Sequence, residues 1–126
     1  MSKKVVATGS APAAVGPYSQ AIVSNGLVFC SGQIPLDPAT GELVGGSIAD
    51  QTRRCMENLA AVLDAAGSSP DRIVKVNAFL TDMADYPEFN EAYGEFFGDE
   101  PPARAAVAVA ALPKAAEIEI ECVAHV

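Results

Sequence analysis

The chain has no tryptophan, one histidine, three cysteines, and only eight basic residues against sixteen acidic ones. Each scarcity removes a class of function. The single histidine, His125, stands one position from the C-terminus, so neither a Ser-His triad nor a histidine zinc site can be assembled, and it reads as a tail residue. Cys30, Cys55 and Cys122 lack metal-ligand spacing and sit among apolar neighbours, so they read as core thiols and no metal is expected. A net charge of −8 argues against a polyanion partner, because nucleic-acid affinity depends on neutralising phosphates with clustered Lys and Arg. Apart from Lys3-Lys4, the basic pair is Arg53-Arg54, which lies in a helical pattern and reads as a solvated face. No apolar run approaches a membrane span, and the start Met1-Ser2-Lys3-Lys4-Val5-Val6-Ala7-Thr8 has no stretch long enough for a signal peptide. A cytoplasmic protein with no membrane partner is expected.

What is present is material for one core. At 126 residues and 50% hydrophobic, the chain reads as a single domain over 1–126 that buries about two thirds of the surface its unfolded form exposes. Residues 21–24 and 27–32 flank Asn25-Gly26, a hairpin signal with the turn chemistry that positive φ demands. Ser31 and Gly32 then sit at a strand's exit, ahead of the turn-rich Leu36-Asp37-Pro38-Ala39-Thr40-Gly41. Ser47-Ile48-Ala49-Asp50 resembles a capping box opening a helix to about residue 66, with Ile48, Cys55, Leu59, Val62, Leu63 and Ala66 as its stripe and Gly67 as its stop. Residues 72–81 alternate as a half-buried strand with Val74, Val76, Ala78 and Leu80 inward. Asp85-Tyr86-Pro87-Glu88 reads as the cap of a second helix ending at Gly98, with Phe89, Tyr93, Phe96 and Phe97 buried and Asn90 off the stripe, free to reach a partner.

Two strands close the chain. In Pro101-Pro102-Ala103-Arg104-Ala105-Ala106-Val107-Ala108-Val109, one guanidinium stands among small apolar residues. A buried charge left without a partner costs about 3–5 kcal/mol, so Arg104 should meet a carboxylate. That carboxylate belongs either to the protein, as a structural ion pair, or to a ligand, which the planar fork would grip through two parallel bonds. Alternation over 104–110 places Arg104, Ala106 and Ala108 on one face with room beside them, and Ala105, Val107 and Val109 toward a core. In Glu117-Ile118-Glu119-Ile120-Glu121-Cys122-Val123, Ile118, Ile120 and Cys122 face a core while the glutamates share the other face. Such a row is an ordinary solvated face, or holds one carboxylate near Arg104 that orients water and moves a proton. Lys114, after Pro113, reads as an exposed turn lysine; a Schiff base is the other chemistry open to it.

The order hairpin, helix, strand, helix, strand, strand gives an α+β fold: a single sheet with two helices able to cover one face. The other face needs burial. Alanine-sized side chains around Arg104 allow a second sheet to approach closely, so self-association is expected.

Gly16-Pro17-Tyr18-Ser19-Gln20-Ala21, Ser31-Gly32-Gln33-Ile34-Pro35, and Pro102-Ala103-Arg104 followed by Leu112-Pro113-Lys114 and Ile118-Glu119-Ile120 closely resemble the RidA/YjgF family of imine and enamine deaminases. The likeness covers nearly the whole chain. It implies a mixed sheet of the YjgF/chorismate-mutase-like kind, assembled as a homotrimer with sites in clefts between subunits. Those sites would hydrolyse reactive 2-imino acids, of the 2-iminobutanoate and 2-iminopropanoate type, without a cofactor. Carried over by motif, Arg104 would clamp the substrate carboxylate and Glu119 would handle the attacking water. Tyr18, Ser31, Gly32, Asn90 and Ala106 would line the pocket. Many members have Ser-Cys where this chain has Ala105-Ala106, so any contact at Ala106 must come from backbone or methyl. Two other readings stand beside the deaminase. One is a non-catalytic trimer binding small carboxylates or partner enzymes. The other is the endoribonuclease label of some relatives, which the missing histidine pair and basic groove disfavour.

Overall fold

Lys4–Val6 forms a short edge strand, β1, which the sequence pattern does not single out, and pairs antiparallel with β2 (Ala21–Ser24). These elements belong to a computed structural model that describes residues 2–126. Asn25 and Gly26, at φ 53° and 76°, turn β2 into β3 (Leu27–Gln33), one residue longer than the pattern indicated.

Helix α1 (Ile48–Ala65) begins as expected: Ser47 Oγ accepts a hydrogen bond from the Asp50 backbone N–H at 3.1 Å. It stops before Gly67, whose φ of 83° ends the helical path. Its buried face includes Ile48, Cys55, Met56, Leu59, Val62 and Leu63. Strand β4 (Ile73–Leu80) departs from simple alternation, because a register shift between Ile73 and Lys75 leaves Val74 exposed and turns Ile73 inward instead.

Helix α2 (Tyr86–Gly94) is shorter than expected. Past Gly94 the chain tightens into i→i+3 turns, with Phe96 N–H donating to Tyr93 O and Phe97 N–H to Gly94 O, so Phe96 and Phe97 are half-buried loop residues. Asp85 makes no side-chain cap; Asp82 caps the 3₁₀ turn before it, accepting from Ala84 N–H at 2.9 Å. Arg53 and Glu95 tie the two helices through a paired contact of 2.9 Å at each oxygen. Strands β5 (Ala103–Ala108) and β6 (Ile118–His125) complete the sheet.

The order is β1-β2-β3-β6-β4-β5, antiparallel throughout except for the parallel β4/β5 pair. Ladder partners share a face, so register assigns every β5 side chain. Arg104 pairs with Val76, which pairs with Cys122; Ala106 pairs with Ala78, which pairs with Ile120. Val76, Ala78, Ile120 and Cys122 are core residues under the helices, so Arg104 and Ala106 lie on the core face. The expected assignment is therefore reversed. Ala103, Ala105 and Val107 line the open face, and Val107 is 45% exposed. Alternation defines two faces without naming the buried one; the aromatic residues of α2 cover the methyl-lined side and leave the valine outside.

That open face carries an unbroken row, Val5, Ile22, Phe29, Val123, Lys75 and Ala103, from one sheet edge to the other. Phe29 is 46% exposed and Val5 58%. Farther along the strands, Val107, Phe79 and Glu119 form a parallel row.

Candidate functional site

Gly32 and Glu119 define the centre of the larger cleft. A Cβ placed on Gly32 would lie 2.0 Å from Glu119 Oε2, so the carboxylate occupies the space a side chain would need, and only glycine permits it there. The β3/β6 register shifts between Cys30 and Gln33, next to this contact, and opens the ladder where the carboxylate settles. Glu119 is half-buried, and burial, with Glu121 adding like charge, holds its carboxyl above the usual range. A carboxyl so shifted exchanges a proton nearer neutrality than an exposed glutamate does.

The cleft measures about 480 Å³. Tyr18, Ser31, Gly32 and Glu119, all singled out from the sequence, line it together with Pro12, Val15, Ile34, Lys114 and Glu121. Tyr18 is half-exposed, its hydroxyl accepting from Val15 N–H at 3.3 Å. Ser31 Oγ donates to Ser19 O at 2.5 Å, and Ser31 N–H to Gln20 O at 3.0 Å, fastening the cleft wall to the strand exit. Glu121 accepts from Asn77 Nδ2 at 3.0 Å, which leaves Glu119 as the less committed of the two.

Gln20 has no role in the sequence reading, yet it organises the wall. Buried to 5% exposure, it accepts from Thr8 N–H at 2.6 Å and donates to Pro12 O at 2.8 Å and Thr8 O at 3.1 Å. It thereby pins the loop that brings Pro12 and Val15 to the cleft. Lys114 lies in a turn, as the sequence predicts: Lys114 and Ala115 both have φ 57°. Its ammonium donates to Gly41 O at 3.3 Å from the rim of the cleft.

Arg104, Asn90 and Ala106 are not in this cleft. Arg104 lies on the other side of the sheet, lining a cavity of about 310 Å³ with Tyr93, Phe97, Pro101 and Pro102. The sequence offered two partners for it, a protein carboxylate or a ligand. Among the described residues no carboxylate lies within ion-pair distance of Arg104. Three α2 rings surround it instead, at 4.8 Å (Tyr93), 5.1 Å (Phe89) and 5.5 Å (Tyr86) from its Cζ, and Nη2 donates to Tyr86 Oη at 2.8 Å. Tyr86, Phe89 and Tyr93 are spaced i, i+3, i+7, so the helical period that marked the stripe also marks this cage when carried back one turn. Asn90 Oδ1 and Tyr93 Oη, on the same helix, are buried without a hydrogen-bond partner among the described residues. Burial pushes the Tyr93 hydroxyl up to about 12, with Arg104 pulling the other way, so the phenol keeps its proton. Arg104 thus keeps its positive charge uncompensated by any carboxylate among the described residues, beside the unpartnered Tyr93 hydroxyl.

Residues 8–126 match the model of the family described as endoribonuclease L-PSP, the YjgF/RidA family. The chain belongs to this family. A RutC family protein of Pyrococcus horikoshii is 51% identical over 98% of both chains. The 2-iminobutanoate/2-iminopropanoate deaminase of Homo sapiens is 43% identical over 97% of this chain and 89% of that protein. The crystal structure of E. coli TdcF with bound serine superposes at a TM-score of 0.93, with 42% identity over 98% of each chain. The six-stranded mixed sheet with two helices on one face is thus the fold of the YjgF/RidA family, and the family includes reactive-intermediate deaminases. None of the three thiols lines either cavity. Cys30, Cys55 and Cys122 are free and buried, and no group of histidine, cysteine and acidic residues suited to a metal occurs among the described residues.

Proposed function

We propose that the protein is a deaminase that hydrolyses 2-imino acids of the 2-iminobutanoate and 2-iminopropanoate type to 2-keto acids and ammonia. The observation that carries this reading is Arg104, a guanidinium held among aromatic rings with no carboxylate of the described residues within ion-pair distance. Arg104 binds the substrate carboxylate. That fixes the neighbouring C=N carbon within reach of a water held by Glu119. Glu119, as carboxylate, takes a proton as the water oxygen bonds to the carbon of the N-protonated imine and the C=N electron pair moves to nitrogen. It then gives that proton to the nitrogen of the carbinolamine; the C–N bond breaks, the hydroxyl proton passes back to Glu119 as the C=O forms, and the leaving ammonia carries that proton away as ammonium. The chain supplies positioning and proton transfer, effects that a rigid sheet delivers with no cofactor.

Arg104 and Glu119 point to opposite faces of one sheet, so one chain cannot turn both toward a single substrate. In this reading the site is assembled between copies, with Arg104, Asn90 and Ala106 from one chain and Tyr18, Ser31, Gly32 and Glu119 from the next. The exposed Val5, Phe29 and Val107, with the half-buried Phe79 beside them, support burial of the open face in a homotrimer. The decisive test generates 2-iminobutanoate or 2-iminopropanoate in situ and follows its disappearance with and without protein. Acceleration that Arg104→Ala abolishes supports the reading. No acceleration, with an unreactive keto acid still bound, favours the non-catalytic carboxylate binder.

A further inference from the structure

A guanidinium that is to meet a ligand must be held without being neutralised. The rings hold the cation but do not choose its rotation, because a ring face attracts the cation from any angle about its normal. A hydrogen bond in the guanidinium plane does choose. The Tyr86 hydroxyl supplies one, accepting from Arg104 Nη2 at 2.8 Å, while the Tyr86 ring also lies 5.5 Å from Cζ.

We propose that Tyr86 is a positioning residue for Arg104, setting the rotation of the guanidinium so that its remaining N–H donors meet the substrate carboxylate as a fork. This rests on the deaminase reading above. A carboxylate in place of the phenol would hold Arg104 more strongly, but its charge would compete with the ligand's for the same cation. The phenol accepts one of five N–H groups and leaves the positive charge intact. Its own O–H meets no acceptor among the described residues and is available to the same ligand carboxylate.

The test is Tyr86→Phe, which keeps all three rings and removes only the hydroxyl. With imine supplied at a range of rates, KM should rise about tenfold, the scale of one charge-assisted hydrogen bond lost from orientation, and kcat should change less than about twofold. The Kd for 2-oxobutanoate, used as an unreactive carboxylate probe, should rise by the same factor. Thermal midpoint and native mass should match the wild type. Unchanged KM and Kd would overturn the proposal, and so would a loss of activity that follows a fall in thermal midpoint or a change of assembly. Arg104→Ala run in parallel separates the two levels. If that variant still turns over, the deaminase role of Arg104 fails; if it is inactive while Tyr86→Phe is normal, only the positioning role fails.

Discussion

Arg104 and Glu119 stand two strands apart in one sheet and project from opposite faces of it. Arg104 shares the core face with Val76 and Cys122, whereas Glu119 shares the open face with Phe79 and Val107. No rotamer change brings them together, since the sheet itself lies between. Mixing Arg104→Ala chains with Glu119→Gln chains after mild dissociation should therefore restore turnover that neither preparation has alone. Random reassembly into rings gives about one interface in four with both native residues, so about a quarter of wild-type activity is expected. Two inactive proteins that remain inactive after verified subunit exchange would remove the shared-site model.

Glu119→Gln should lower turnover about 10²-fold or more while 2-oxobutanoate still binds, because proton transfer is lost and carboxylate recognition is kept. Glu117→Gln and Glu121→Gln should be milder. The same substitution should change the pH dependence of stability. The folded-state carboxyl titrates above its ordinary value of 4.5, so between that value and the raised one the folded protein holds more protons than the unfolded chain. Stability from this group is complete below 4.5 and is lost as pH rises through the folded-state value. The glutamine variant lacks that loss. It should be inactive yet more heat-resistant than the wild type at neutral pH, with the gap closing in acid; a lower midpoint at pH 7 would refute the burial argument.

Gly32→Ala tests the close approach. The added methyl meets the far end of a flexible side chain, so the fold should survive with a modest drop in thermal midpoint while Glu119 is pushed aside. A displacement of about 1 Å at a reacting group costs up to 10²-fold in rate. Adding Gly32→Ala to Glu119→Gln should then cause little further loss in activity. Full additivity of the two changes would mean that Gly32 acts through something other than this carboxylate.

The cysteines should be chemically silent. Burial raises the Cys55 thiol above its usual range, and a hydrogen bond with Cys30, followed by burial, raises Cys122. Native alkylation followed by intact mass should show slow labelling and unchanged turnover. Rapid labelling with loss of activity in an undissociated assembly would contradict this.

Ala115 carries a strain that glycine would relieve. Its φ of 57° follows directly on Lys114 at the same angle, and a side chain in the left-handed region costs about 1–2 kcal/mol. Glycine's greater freedom in the unfolded chain offsets part of that gain, so Ala115→Gly should stabilise by about 0.5–1 kcal/mol in urea unfolding. A destabilised variant would show that the alanine methyl contributes more than it strains.

Local chemistry alone was enough for much of this molecule. The Asn25-Gly26 turn, the Ser47 cap, the Gly67 stop and the inward Ile118, Ile120 and Cys122 all follow from interactions within a few residues, which a sequence displays directly. Motif likeness carried the family, and with it both ends of the proposed site. Three matters depended on residues far apart in the chain. Which side of β5 is buried was decided by α2 packing its rings against Arg104, and alternation, being symmetric, is blind to that choice. The bulge at Val74 was decided by pairing with Val123 and Ala124, some fifty residues away. The placement of Glu119 over Gly32 was decided by a register shift between β3 and β6. In each case the sequence supplies side chains that suit two arrangements equally, and only the partner that closes over them breaks the tie.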